Sequence, residues 1–427
     1  MPLKILAIGD LHLGRVPSRL PADLRDDARR YGPSEVLERI VRYATESRID
    51  AVVLAGDVVE HDYDFFEAYR DLRGTVGRLL AAGIRVLAVA GNHDTVVLPR
   101  LADQLEGFEL IGRGGRWEQR TLTAGAERAT LHGWSFPQRV VTASPLDGAR
   151  LERGPGPNLG LLHCDLDQAE SRYAPVATAE LSNAGLDGWL LGHVHKPGEL
   201  TAAFPLGYLG SATGLHPNEH GARGPWLISI DGGRIAAVEQ LPLAPLHWEH
   251  VDVDVTGIAA PEDARDLLLA RVAELDKRLG ARAVPPDAVG LRARFVGRSR
   301  FRGEIERMLD EERLDDVGTG TSGRRYFVES ASVATAPEID LASLAQTPSP
   351  AGLLAKRLRL LERDPRDPDR AELIRRARAR LDECHDKPCW QALALDAPTD
   401  DEIAEMLRDA GLRALDALLA QQPEGAA

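Results

Sequence analysis

Short apolar runs alternate with helix-period segments through the first half of the chain. Leu3–Ile8, Ala51–Ala55 and Ile84–Val89 are continuous enough in apolar residues to be buried strands. Between them, Ser34–Ser47 has the spacing of an amphipathic helix, with Ser34 after Pro33 as its expected N-cap. Asp64–Ala82 is a second helix, closed by Gly83 as C-cap. This β-α-β-α-β order predicts parallel strands with helices packed against the sheet. Further strands are expected at Ala129–Gly133, Leu159–Leu162, Gly188–Leu191, Tyr208–Leu209, Trp226–Ile230 and Arg234–Gln240. Asp231-Gly232-Gly233 supplies the hairpin turn between the last two.

The texture changes after Leu241, where Pro242 and Pro245 mark a boundary. Residues 248–254, 288–296 and 325–334 have strand character, and 261–279 and 300–312 have helical spacing. From Ser349 onward the chain is helical: Leu353–Glu362, Asp369–Glu383 and Asp400–Ala420, with prolines in the linkers. The expected organisation is a first domain over 1–245, a small α/β module over 246–345 and a helical tail over 346–427. There is no internal repeat.

Composition narrows the class. Hydrophobic residues are 44% of the chain, too many for a disordered one. The apolar runs are strand-length and far short of a bilayer span. The amino terminus runs directly into a strand without the apolar region and cleavage site of a signal peptide. Only Cys164, Cys384 and Cys389 are present, which argues against a disulfide framework; a cytoplasmic location is expected. The net charge of −14 does not mark an obvious nucleic-acid binder, although bound divalent cations would supply local positive charge where a substrate sits.

Five polar clusters carry the candidate chemistry, and each follows an expected strand. They are Gly9-Asp10-Leu11-His12, Gly56-Asp57, Gly91-Asn92-His93-Asp94, His163, and Gly192-His193-Val194-His195. In open α/β sheets, sites form beyond the carboxyl ends of strands, so clusters far apart in sequence can converge. Carboxylate, imidazole and amide oxygen are ligands for Mn²⁺, Zn²⁺ or Fe²⁺. An extended backbone through Asp10-x-His12 and His193-x-His195 would put both side chains of each pair on one face. Taken singly, a Gly-Asp after a strand is a turn and a lone histidine is a hydrogen-bonded core residue. Five in this order, all after strands, point to a metallophosphoesterase.

That order resembles the calcineurin-like metallophosphoesterase superfamily. The stretches His132-Gly-Trp-Ser-Phe136, Gly160-Leu-Leu-His163, Tyr173-Ala-Pro175, Leu191-Gly-His-Val-His-Lys196 and Gly210-Ser-Ala-Thr-Gly214 are similar to its bacterial YhaO-type branch, related to the SbcD nuclease subunit. The resemblance implies a four-layer α-β-β-α sandwich with a capping domain and a helical C-terminal tail. It implies one metal held by Asp10, His12, Asp57 and His195, and a second held by Asp57, Asn92, His163 and His193, with Asp57 bridging. His93 would be no ligand but the group that stabilises or protonates the leaving oxygen. Mn²⁺ is the metal implied, with Fe²⁺, Zn²⁺ and Mg²⁺ as alternatives. SbcD-type proteins carry a histidine in a Gly-Asp-x-Phe-His pattern; here the run is Gly56-Asp-Val-Val-Glu-His61, one residue longer. His61 is therefore a candidate substrate contact or a surface histidine. His216, Glu219 and His220 are candidates for the mouth of the site, or simply a polar loop.

The resemblance further implies a DNA nuclease, exonucleolytic or structure-dependent, acting with an SbcC- or YhaN-like coiled-coil ATPase and as a homodimer, without a membrane. Arg292 and Arg294, alternating on a strand, could track a DNA backbone or blunt a sheet edge. Leu353, Leu354, Leu358 and Leu361 could form the apolar stripe by which the tail docks, or part of a solvated helix. Cys384 and Cys389 bracket His385 but offer too few ligands for a zinc knuckle. A phosphodiesterase for small molecules or cyclic nucleotides, and a metal-binding scaffold that regulates an ATPase, are the competing readings.

Overall fold

A computed structural model describes residues 1–311, 318–319, 323–385 and 398–419. They form two compact units. The first comprises Met1–Val253, Ala264–Phe295 and Glu306–Ser332. The second comprises Asp254–Asp263, Val296–Ile305 and Val333–Ala427, so the segment 246–345 contributes to both.

The first unit is built on two sheets. One contains β1 (Leu3–Ile8), β2 (Ala51–Ala55), β3 (Arg85–Val89) and β4 (Phe108–Leu110). The other contains β5 (Glu118–Ala124), β6 (Glu127–Trp134), β7 (Asn158–His163), β8 (Gly188–Gly192) and β9 (Leu206–Tyr208). Two later strands, β10 (Trp226–Asp231) and β11 (Arg234–Gln240), return to the first sheet and give it the order β11-β10-β1-β2-β3-β4. The second sheet runs β5-β6-β7-β8-β9 in chain order. As expected from the β-α-β-α-β order, β1, β2 and β3 pair in parallel.

Strand periodicity explains the layers. Alternate residues point to opposite faces of a sheet. Leu3, Ile5, Ala7, Val53 and Val89 pack inward against Leu131, Leu159, Leu161 and Leu190 of the second sheet. Leu6, Ile8, Val52, Leu54 and Val86 face the other way, against Val36, Ile40, Leu72 and Val76 of the helices Pro33–Glu46 and Phe65–Ala81. On the far side of the second sheet, Leu162, Trp189 and Leu191 pack with Leu181 of the helix Thr178–Asn183. The result is the four-layer α-β-β-α sandwich. Because β1–β3 are buried on both faces, they read as continuous apolar runs rather than alternating ones.

Two details differ from the sequence reading. Ser34 is not the N-cap: Gly32 occupies that position, Pro33 starts the helix, and the Ser34 hydroxyl donates to Asp71 at 2.7 Å. The strands β4 and β5 were not expected. β4 is very short, and β5 is a polar edge strand with little buried surface to mark it.

A third sheet, in the order β12-β13-β15-β14, is formed by β12 (Leu246–Asp254), β13 (Ala288–Val296), β14 (Gly318–Thr319) and β15 (Arg325–Val333). Trp248, Ala288 and Phe327 of this sheet are packed with Leu20, Leu24 and Tyr31. In the second unit the helices Pro350–Leu360 and Asp400–Leu419 close a small core at Ala351, Leu358 and Leu415, with Leu354 and Leu361 partly buried beside it. Leu353 is left largely exposed. Cys389 and the side chains of Cys384 and His385 lie outside the described residues. No helix among the described residues is long and apolar enough to cross a membrane.

Candidate metal centre

The five motifs end β1, β2, β3, β7 and β8, which lie in the two facing sheets. Backbone bonds lock the first two loops together: Leu11 and His12 both donate to the Asp57 carbonyl, at 3.1 and 2.9 Å. Three of the candidate residues adopt left-handed backbone, His12 at φ 52°, Asp57 at 47° and His193 at 106°. Such conformations are costly for residues with a Cβ and persist only where the surroundings enforce them. The extended backbone expected through Asp10-x-His12 and His193-x-His195 is therefore not what aims these side chains. Sharp turns do, and they send His193 and His195 to different partners. Gly91 permits a close loop approach, since a Cβ there would collide with the Asp57 carboxylate.

Two groupings draw on the five motifs alone: Asp10, His12 and His195 form one, and Asp57, His163 and His193 the other; a third, His12 with Glu60 and His93, brings in an acid beyond the motifs. In the first, the His12 and His195 Nε2 atoms are 3.0 Å apart, and Asp10 Oδ2 is buried without a hydrogen-bond partner. In the second, His163 Nε2 lies 3.0 Å from Asn92 Oδ1, 3.3 Å from Asp57 Oδ2 and 3.3 Å from His193 Nδ1. Asp57 Oδ2 also faces His12 Nε2 at 4.0 Å, so one carboxylate oxygen looks into both groupings.

The outward ring nitrogens are held in place. His163 Nδ1 faces the Ala55 carbonyl at 3.0 Å, His195 Nδ1 faces Glu219 at 2.8 Å and His193 Nε2 faces Asp165 at 3.2 Å. A ring that donates outward presents its other nitrogen, bare, to the centre. His93 stands apart from both groupings: its Nδ1 faces the Glu60 carbonyl at 3.1 Å, and its backbone N–H donates to Asp57 Oδ1 at 3.0 Å.

Electrostatics tie the cluster together. Burial alone would raise the pKa of Asp57, but His163 and His12 outweigh it and hold the carboxyl well below the ordinary range. Burial alone would lower His163, but Asp57 and Asp10 push it up to about 9. Asp94 is raised to about 7, first by burial and then by the charge of Asp57. Its two oxygens accept from the Val58 and Gly91 backbone N–H groups, both at 2.7 Å, and so brace the second motif against the third.

A buried carboxylate oxygen with no partner, imidazoles turned edge to edge and the absence of thiolates in the groupings fit a pair of divalent cations. Asp10, His12 and His195 could hold one, and Asn92, His163 and His193 the other, with Asp57 between them.

The remaining candidates sit farther out. His61 is partly exposed and its ring lies tilted against Tyr63, with ring centroids 4.7 Å apart. His216 accepts from the Asn218 backbone N–H at 3.1 Å, and His220 stacks on His250. Glu219 is not merely at the mouth, since it orients His195. Arg292 and Arg294 share the less buried face of β13; Arg292 pairs with Glu329 and donates to Asn218, and Arg294 pairs with Asp252. Glu60, Asp94 and Asp165 received no role from the sequence. The available signal was an acid within three residues of an expected ligand in each case.

Residues 3–197, which hold this centre, match the model of the calcineurin-like phosphoesterases and form a metallophosphoesterase domain. Among curated proteins it is similar to YhaO, an uncharacterised metallophosphoesterase of Bacillus subtilis, at 28% identity over 55% of this chain and 62% of that one. It is also similar to the DNA double-strand break repair protein Mre11 of Methanopyrus kandleri, at 25% identity over 62% of each chain. Both agree with the YhaO-type, SbcD-related branch. The chain thus matches just under two thirds of the length of these relatives. Among solved structures, the calcineurin-like phosphoesterase YfkN from Bacillus subtilis aligns at 12% identity and a TM-score of 0.34, over 65% of this chain and 98% of that one.

Proposed function

We propose that this protein is a two-metal phosphodiesterase whose substrate is DNA. The observation that carries the two-metal reading is the placement of Asp57 Oδ2, which faces His12 of one grouping and His163 of the other. A carboxylate in that position is the natural bridge between two cations. A bound pair of divalent ions supplies Lewis acidity toward a water and toward the phosphoryl oxygens. The chain's own part is to fix the ligands, to keep their protons on the outward ring nitrogens and to offer His93. With Nδ1 turned to the Glu60 carbonyl, His93 keeps Nε2 free to hold a proton for the leaving oxygen.

DNA as substrate is supported by the Mre11 relatives and by the extra modules beyond the catalytic sheets, for which a small diester gives no reason. On this reading Mn²⁺ is the working metal. Residues 246–345 cap the site, with His61, His216, Arg292 and Arg294 toward the nucleic acid, and the helical tail docks a coiled-coil ATPase of the SbcC or YhaN kind. The enzyme works as a cytoplasmic homodimer. A small-diester phosphodiesterase is the second reading, favoured by the pairing of Arg292 and Arg294 with acids.

The decisive experiment incubates the Mn²⁺-loaded protein with end-labelled double- and single-stranded DNA, beside bis-p-nitrophenyl phosphate. Cleavage of DNA is expected, with or without the ATPase. Cleavage of the small diester alone, even with the ATPase added, would favour the second reading. No cleavage of either would overturn the phosphodiesterase assignment.

A further inference from the structure

We propose that Glu60 is a positioning residue that fixes the proton of His12 and seats His93, so that one side chain sets both a metal ligand and the proton donor. The inference rests on the two-metal reading above. Glu60 Oε2 lies 2.6 Å from His12 Nδ1, with side chains only 13% and 2% exposed. The contact is close, yet its angles do not make a well-formed hydrogen bond, and both atoms are buried with no hydrogen-bond partner. Glu60 also offers its carbonyl to His93 Nδ1 at 3.1 Å, and its Oε2 is 3.9 Å from the same nitrogen.

Glu60 is not held by chance at a loose loop tip. Leu13 donates to the Val58 carbonyl at 2.8 Å and Glu60 donates back to the Leu13 carbonyl at 3.0 Å. These bonds zip the loop after β2 to the loop after β1, and they place the carboxylate against the His12 ring.

Proton counting decides what the contact does. A neutral imidazole carries one proton. His12 Nε2 faces His195 and Asp57, where a ligand atom must be bare. The proton then sits on Nδ1, where the Glu60 carboxylate, 2.6 Å away, favours it electrostatically. The same count rules out a third cation among His12, Glu60 and His93, although their ligand atoms lie close enough for one. Asp165 and Glu219 serve His193 and His195 in the same sense. Glu60 differs in that its backbone also seats His93, outside both groupings.

The test uses the full chain and Mn²⁺ itself. Metal binding is measured by titration calorimetry, and the thermal midpoint is measured without metal. Two Mn²⁺ sites are expected in the wild type. In Glu60→Gln, which keeps the shape, the metal-free midpoint should stay put. One site should weaken about 10–100-fold while the other is unchanged. Turnover of bis-p-nitrophenyl phosphate should fall through kcat and recover in part at high Mn²⁺. If Glu60→Gln binds both ions as the wild type does, the positioning role is overturned and Glu60 only packs. Should Glu60→Gln not fold, Glu60→Asp should weaken the same single site, and unchanged affinities there overturn the role equally. A wild type that binds fewer than two ions overturns the two-metal reading, and this inference with it.

Discussion

The strand-end loops and the arginine-rich regions handle charge in opposite ways. At the loops after β1, β2, β3, β7 and β8, carboxylates and imidazoles are buried against each other, and Asp10 Oδ2 has no partner. On β13 and in the tail, the cations already have acids. Arg292 pairs with Glu329, Arg294 with Asp252, Arg375 with Glu372, Arg378 with Asp400 and Arg380 with Glu383. Most of these pairs are well exposed, where an ion pair contributes little. A buried set with too few internal partners is built to receive cations. An exposed set with its own acids must give them up before it can meet a phosphate.

Substitution of Asp57 should separate the two regions most sharply. Asp57→Ala removes the oxygen that faces both groupings and should lower phosphodiester turnover beyond the about 10²–10³-fold that loss of a single oxyanion donor costs. Metal content by mass spectrometry of the native protein should drop at the same time. Retention of two ions would break the assignment of Asp57 as bridge.

His93→Ala tests whether the histidine of the third motif, which lies outside the two groupings, does chemistry. Turnover should fall by about 10²–10⁴-fold, the range of a general acid, while both ions stay bound. Loss of metal in this variant would make His93 a ligand instead.

Asp94→Asn probes the brace behind the ligands. Asn can accept from only one of the Val58 and Gly91 N–H groups, so a buried donor is left unpaired, at a cost of about 1–3 kcal/mol. Chemical denaturation reads this directly. An unchanged midpoint would mean the two loops are held by other bonds.

The smallest effect is expected on the arginine side. If Arg292 and Arg294 each meet a phosphate, alanine at either should reduce the slope of log affinity for DNA against log salt by about one. An unchanged slope would leave both as partners of Glu329 and Asp252 only.

The strands β1, β2, β3, β7 and β8 were legible because buried parallel strands are plain apolar runs, and the motifs follow them directly. β4 and β5 were not, because one is too short and the other too polar for periodicity to register. Ser34 shows the limit of local capping rules. Its hydroxyl is drawn to Asp71 on the neighbouring helix, a contact no window around residue 34 contains.

The sequence by itself determined the residue types of the five motifs, their order and their position after strands. The role of Asp57 as the expected bridge came from the family resemblance, not from the residues themselves. Tertiary structure alone decided which ligands face each other. His193 and His195 are near neighbours in sequence, yet one meets His163 and the other meets His12. Only the tertiary structure turned Glu60 and Asp165, which had no role, and Glu219, a candidate for the mouth of the site, into the partners of particular ring nitrogens. The physical reason is that alternation along a strand fixes which way a side chain leaves its own backbone. Which imidazole it then meets depends on how two sheets pack and how left-handed turns at their ends aim the loops, and neither leaves a local trace in the chain.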